Sequence, residues 1–408
     1  MNCRHCSTPL KLQLLDLGTA PPSNRYLTRE QLLAPESFYP LRVHVCTACW
    51  LVQTEDYAGR EELFDPTYAY FSSTSSSWVE HGRQYANAMV KRFGLDSRSK
   101  VVEVASNDGY LLQHFQTRGL QCLGIEPTAS TASAARAKGL TVAEVFFGRE
   151  TARDLLARHG AADLMAANNV LAHVPDINDF AAGFEVMLAE RGVATFEFPH
   201  LLRLVDECQF DTVYHEHFSY LSLSAVNRVF SAAGLEIFDV ERLTTHGGSL
   251  RVFAQRGSGL RRGVEAAVMD VLQQERKAGM ETAAFYDDLQ ARAEAIKNAL
   301  VGFLIEAKAS GKRVGAYGAA AKGNTLLNFA GVRPDLLPWV VDRSPGKQGR
   351  FLPGSRIPIT SEDRIRDERP DYLLLLPWNL RTELEAQLSY TRNWGCRFVT
   401  AVPRLEIR

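Results

Sequence analysis

Apolar and polar positions along this chain fall into two alternating periods. Between about residues 100 and 200, short apolar runs (KVVEVA, LQCLGIEP, ADLMAANNV and GVATFEFPHL) are separated by polar turns. Between them lie segments with apolar residues three and four apart, such as YLLQHFQTRG, STASAARAKG and DINDFAAGFEVML. Short strands alternating with helices predict a doubly wound parallel sheet. The same alternation returns after residue 310 in KRVGAYGAAAKGNTLLNF, LPWVVDRSPGKQG, PDYLLLLPW and CRFVTAVP, which predicts a second, smaller α/β unit. The intervening stretch, about 260 to 310, is rich in Ala, Glu, Lys and Leu at helical spacing and reads as one or two long amphipathic helices. The first 75 residues differ from both. They carry Pro21, Pro22, Pro35 and Pro40, strand-like runs such as YPLRVHVC, and a closing Ser/Thr-rich TYAYFSSTSSSW that leads into a helix near Trp78. The expected division is 1–75, 76–255 and 256–408.

A chain of 408 residues exceeds what one core usually serves, in keeping with that division. The formal charge of −1 and the lack of any Lys/Arg run remove bulk attraction to nucleic acid. No apolar stretch approaches the roughly 20 residues of a membrane helix. The opening MNCRHC lacks the layout of a signal peptide, so the expectation is a cytoplasmic protein with no membrane partner, and a monomer.

Four of the seven cysteines form two pairs, Cys3-Arg4-His5-Cys6 and Cys46-Thr47-Ala48-Cys49. Each CxxC turns two thiolates toward one ion, and two such knuckles close a tetrahedral shell. A closed shell leaves no position for substrate, so the pattern predicts a structural zinc, with His5 a bystander. Cys122, Cys208 and Cys396 are isolated and read as core residues.

In VVEVASNDGYLL, Glu103 ends a strand and Asn107, Asp108 and Gly109 form a tight turn before a helix; Glu126 ends the next strand 23 positions later. A carboxylate there suits a ribose diol. A single glycine weakens a dinucleotide reading, because the pyrophosphate approach wants several. S-adenosylmethionine carries no phosphate and needs acceptors for its ammonium and ribose, which Asn107 and Asp108 provide. Phe146 and Phe147 follow the third strand, where they suit either an adenine or the core. Asn168, Asn169 and His173 follow the fourth, and ligands gather at strand ends in such sheets.

Together the CxxC pairs, TYAYFSSTSSSW, VEVASNDGYLL, GIEPT, NNVLAHVPD, YHEHFSYLS, THGGSLRV and GAYGAAAKGNT occur in an order that resembles the sugar C-methyltransferases of deoxysugar biosynthesis. The resemblance covers essentially the whole chain. It implies a zinc-binding N-terminal module, a central Rossmann-like class I methyltransferase domain binding S-adenosylmethionine, and a Rossmann-like C-terminal α/β domain. The implied reaction is methyl transfer to C3 of a nucleotide-linked 4-keto-6-deoxy sugar, typically dTDP-linked. It also implies active-site positions at Tyr68, His173, Tyr214, Glu216 and His217, and adds Tyr70 and Pro127 to the cofactor set.

Methylating carbon requires a base for the C3 proton and donors for the developing C4 oxyanion. Histidine has the pKa for the base, so His217 takes that role, with Tyr214 the alternative; Glu216 supports them and His215 is structural. In the C-terminal unit, Lys322, Asn324 and Thr325 stand at the mouth of a strand–helix turn and Arg343 near the next strand end, where a nucleotide diphosphate would bind. Ser249 and Arg251 in THGGSLRV are expected to touch it. The alternatives are an O- or N-methyltransferase on the same scaffold, and a non-catalytic zinc-ribbon binding module.

Overall fold

The computed structural model describes residues 1–57, 71–259 and 261–408. Tyr68 and Tyr70 therefore lie outside the described residues. The N-terminal module begins as an antiparallel meander of β1 (Leu12–Ala20), β2 (Tyr39–Val45) and β3 (Val52–Thr54). In β2 the period of two turns Leu41, Val43 and Val45 inward. A helix follows at Ser76–Phe93, started by Ser75, whose side chain accepts from the Trp78 N–H, and stopped by Gly94 at φ 62°.

The central sheet is built from β4 (Lys100–Val104), β5 (Gln121–Ile125), β6 (Thr141–Ala143), β7 (Ala162–Asn168) and β8 (Leu188–Pro199), all parallel to their neighbours. The chain then leaves this sheet. The short β9 (Ser219–Tyr220) pairs Tyr220 with Val52 and Ser219 with Gln53, so it is the fourth strand of the N-terminal sheet. After it, β10 (Leu235–Leu243) and β11 (Ser249–Arg256) return to the centre. The order is β10-β11-β8-β7-β4-β5-β6, with β11 antiparallel to both neighbours.

The Ala/Glu-rich stretch forms two helices with different allegiances. Ala266–Ala278 buries Val268 and Val271 in the core of the central sheet, whereas Leu289–Ala309 packs Leu300 and Leu304 in one cluster with β1 and the last domain. That last domain holds β12 (Val314–Tyr317), β13 (Val340–Val341), β14 (Ile359–Thr360), β15 (Tyr372–Leu375), β16 (Arg397–Thr400) and β17 (Glu406–Ile407). The order is β14-β13-β12-β15-β16-β17, parallel except for β17. One apolar cluster runs through all three units, from Leu15 and Val43 through Leu201 and Phe210 to Leu326 and Leu374. Among the described residues no helix is long and apolar enough to cross a membrane.

Candidate active site and metal centre

The two CxxC turns bring Cys3, Cys6, Cys46 and Cys49 together, their sulfurs all within 4.8 Å of one another. Cys3 lies 3.5 Å from Cys49 and Cys6 3.5 Å from Cys46. Four sulfurs about 2.3 Å from one zinc stand about 3.8 Å apart, so the cluster has the size of a zinc–thiolate tetrahedron. None of the four is in a disulfide. Their crowding sets the thiols against one another. The hydrogen bond from Cys49 pulls Cys3 down to about 4, and the same contact, with burial, pushes Cys49 up. A divalent cation resolves that conflict. His5 bonds Asn178 through Nδ1 at 2.7 Å and stays outside the sulfur shell.

At the end of β4 the loop carries left-handed backbone at Ala105 (φ 54°), Asn107 (φ 49°) and Gly109 (φ 77°). A Cβ on Gly109 would stand 2.3 Å from the Leu140 side chain, so only glycine lets the turn lie this close. Three acids converge on it. Glu126 accepts the backbone N–H groups of Asn107 and Thr128, each at 2.9 Å. Asp108 accepts from the Ser73 hydroxyl and has Lys138 at 3.6 Å. Glu103 is fully buried with Oε2 unbonded, and burial, reinforced by Glu126 and Asp108, pushes its carboxyl well above the usual range. Burial likewise raises Glu126. At the end of β7 the side-chain amides of Asn168 and Asn169 are out of solvent and unbonded, Asn169 at φ 56°. Acids short of cations and amides short of partners around one turn fit the ammonium, sulfonium and ribose of S-adenosylmethionine. Pro127, beside Glu126, is partly buried at this rim. Phe147 packs edge-on against Phe180 and Phe184, with ring centroids 5.7 and 5.2 Å away. Phe147 is half-buried, so it packs on the core through one edge.

The segment YHEHFSY sorts its side chains by direction. His215 and Glu216 are buried, whereas Tyr214 and His217 are partly open, as is His173. His215 turns away, with Nε2 3.1 Å from the Pro40 carbonyl oxygen. The His217 ring lies 4.0 Å from that of Tyr214 and 4.6 Å from that of His173, so the structure brings these three together. His217 Nδ1 is 2.9 Å from the Thr212 carbonyl oxygen, which only accepts; Nδ1 therefore carries the proton and Nε2 the lone pair. Burial, then His173, hold its pKa well below 6.5, so the ring is neutral at pH 7. Burial takes His173 down to about 4.

The substrate-binding expectations in the last two domains need correction in part. Lys322 is beside the cluster, its ammonium 4.8 Å over the Trp378 ring and 3.3 Å from Asn379 Oδ1. Burial lowers its pKa. Asn324 and Thr325 instead face inward, donating to the carbonyls of Ser23 (2.7 Å) and Val213 (2.8 Å); they tie domains together. Arg343 is exposed and paired with Glu362 at 3.1 Å. Arg251 is buried and consumed by Glu197 (3.1 Å) and Glu241 (3.0 Å), and the Ser249 hydroxyl donates to the Thr245 carbonyl oxygen at 2.9 Å. Arg251 thus ties β11 to β8 and β10, and Ser249 closes the loop that precedes β11.

Asp211, Trp378 and His246 complete the surroundings, and the sequence reading passed over all three. Asp211 is fully buried, accepts from Trp378 Nε1 at 2.7 Å, and has its other oxygen unbonded. Burial raises its pKa to about 6, and Lys322 acts against the rise. Gly247 is the reason Trp378 comes so close, since a Cβ there would stand 2.8 Å from the ring. Trp378 follows a strand end and His246 lies within THGGSLRV, so both carried a positional signal; Asp211 had only its place three residues before Tyr214.

Six parallel strands with an antiparallel strand, β11, slipped between the last two, β8 and β10, and a carboxylate-rich turn after the first strand, define a class I methyltransferase. A family model described as "Putative zinc binding domain" matches residues 3–64, one described as "Methyltransferase domain" matches 78–240, and one described as "C-methyltransferase C-terminal domain" matches 244–403. The chain belongs to the C-methyltransferase family. Over 406 residues it is 34% identical to the C-methyltransferase NovU of Streptomyces niveus, covering 99% of this chain and 96% of that protein. Among solved structures it has distant likenesses. One is the magnesium protoporphyrin IX methyltransferase of Synechocystis PCC 6803 (14% identity, 44% of this chain, 83% of that chain, TM-score 0.35). Another is an S-adenosylmethionine-dependent methyltransferase of Clostridium acetobutylicum (10% identity, 44% and 92%, TM-score 0.35).

Proposed function

We propose that the protein methylates C3 of a nucleotide-linked 4-keto-6-deoxy sugar, with S-adenosylmethionine as donor. The observation that carries this reading is the fixed tautomer of His217, which offers an Nε2 lone pair beside Tyr214 and His173. A lone pair held in place suits abstraction of a C–H proton, which methylation of oxygen or nitrogen does not need.

The C3 proton is acidic because the C4 ketone can take up the electron pair. His217 Nε2 accepts the proton, and the charge arriving on the C4 oxygen is met by Tyr214 and the Lys322 cation. Desolvation makes each of those contacts stronger than it would be in water. Glu103, Asn107, Asp108, Gly109, Glu126, Asn168 and Asn169 would hold S-adenosylmethionine, which when bound supplies an electrophilic methyl group on a sulfonium. A cavity of about 550 Å³ beside Trp378, lined by Arg203, Arg242 and Arg381 among others, supports placing the nucleotide diphosphate between the central and C-terminal domains.

The test is proton exchange without methyl donor. Incubating enzyme and sugar nucleotide in D2O should place deuterium at C3, and His217→Ala should slow this by about 10²–10⁴-fold. Methyl transfer by active enzyme with no exchange at C3 would point to an oxygen or nitrogen acceptor instead.

A further inference from the structure

Glu216 is buried between the two open residues Tyr214 and His217, and its Oε1 accepts from Asn24 Nδ2 at 2.7 Å. Asn24 belongs to the N-terminal module, in the loop between β1 and β2. That loop is fastened to the C-terminal domain on both sides of Asn24. Ser23 accepts at its carbonyl from Asn324 Nδ2 (2.7 Å), and the Tyr26 hydroxyl donates to the Ala319 carbonyl oxygen (2.7 Å). Leu27 and Phe351 exchange backbone hydrogen bonds of 2.9 Å in both directions. The Lys347 ammonium lies 5.2 Å over the Tyr26 ring and itself donates to the Ala319 carbonyl oxygen at 2.8 Å. The Glu216 carboxylate only accepts, which assigns the Asn24 NH2 group to that side and leaves Oδ1 toward the Tyr26 hydroxyl, 3.3 Å away.

We propose that Asn24 is a positioning residue for methyl transfer: the N-terminal module reaches across to the active site and fixes the Glu216 carboxylate. This rests on the reading of Glu216 as part of the site that binds the keto sugar. A carboxylate on a two-carbon stem has several rotamers. A donor on a loop pinned at Ser23, Tyr26 and Leu27 selects one of them before substrate arrives, so little order is left to be imposed in the transition state. The arrangement also gives Asn324 a purpose, since its bond to Ser23 holds the residue next to Asn24.

The test compares Asn24→Ala, the isosteric Asn24→Asp, Glu216→Gln and the double variant Asn24→Ala/Glu216→Gln. Zinc content, melting temperature, kinetics with a 4-keto sugar nucleotide, and a crystal structure of Asn24→Ala are measured. We expect Asn24→Ala to lower kcat about 10²-fold with a smaller change in KM, the effect of misplacing a reacting group by about an ångström. Zinc content should be unchanged, and the crystal structure should show Glu216 rotated in otherwise unaltered surroundings. Asn24→Asp keeps the shape but sets two carboxylates together, and should lose at least as much. In the Glu216→Gln background the Asn24→Ala change should cost little more. An unmoved carboxylate with wild-type kcat, or the same fold-loss in both backgrounds, overturns the proposal. If the wild type methylates no keto sugar, the functional reading fails, and the position of Glu216 in Asn24→Ala still decides whether Asn24 positions it.

Discussion

His246 is held at φ 55° before the Gly247–Gly248 pair, its ring edge-on to Trp78 with centroids 5.2 Å apart. Burial, with help from Lys322, takes its pKa down to about 4. In the unfolded chain a histidine titrates near 6.5. The folded state therefore binds less proton between those values, so the contribution of His246 to stability is complete above pH 6.5 and is lost as pH falls toward 4. Asparagine tolerates left-handed backbone and does not titrate. Urea unfolding at pH 7 and pH 4.5 should show the wild type losing about 2 kcal/mol more than His246→Asn over that range. Equal losses would mean that His246 is not buried in its neutral form. His246 and Asp211 gain their significance from Lys322, which comes much later in the chain. No local pattern in THGG or QFDT announces that meeting, so the sequence exposes the motif and hides the cluster.

Elements were legible where period and capping agree. The strands β4, β5, β7 and β8 and the helices Ala129–Ala137 and Ile177–Met187 fall where apolar runs and spacing put them, the latter started by Asp176, which accepts the Asp179 N–H at 2.9 Å. What escaped is the partner of each element. Arg251 and Thr325 look like ligand contacts in a linear reading because their partners, Glu197 and Val213, are distant in sequence. The helix Leu223–Ala232 carries a sharper instance. Ser222 caps it by accepting the Ala225 N–H, but the Leu223 and Ser224 N–H groups are satisfied by Glu275 of another helix, at 2.6 and 2.8 Å. The same carboxylate is 2.8 Å from His200 Nε2. Glu275→Ala would leave the two helix N–H groups and the buried imidazole without their acceptor, and should cost about 3–5 kcal/mol in chemical denaturation, since each buried donor left unsatisfied costs about 1–3 kcal/mol. A loss under about 1 kcal/mol would show that water replaces the carboxylate.

At the scale of the whole molecule, the zinc module and the segment 214–220 are one structural unit although about 160 residues separate them. β9 is a strand of the N-terminal sheet, and the turn before it is fastened to that sheet at each step. Thr54 Oγ1 donates to the His217 carbonyl oxygen at 2.9 Å, the Thr54 N–H to that of Phe218 at 3.2 Å, and Pro40 accepts from His215. Within β3, Gln53 Nε2 reaches Cys3 Sγ at 3.3 Å and Gln53 Oε1 accepts the Arg4 N–H at 2.9 Å, so the metal knuckle and the strand that carries β9 share one side chain. A small sheet of this kind buries little by itself and depends on its metal for order. Chelating the zinc should therefore raise amide hydrogen exchange in residues 39–54 and, with them, in 214–220. β4 and β7, whose hydrogen bonds and core belong to the central sheet, should keep their protection. S-adenosylmethionine affinity should survive chelation while C3 proton exchange is lost, because the cofactor turn rests on β4 and β5 whereas His217 rests on β3. If 214–220 stays protected in the metal-free protein, the pairing of β3 with β9 is not what holds His217 in place.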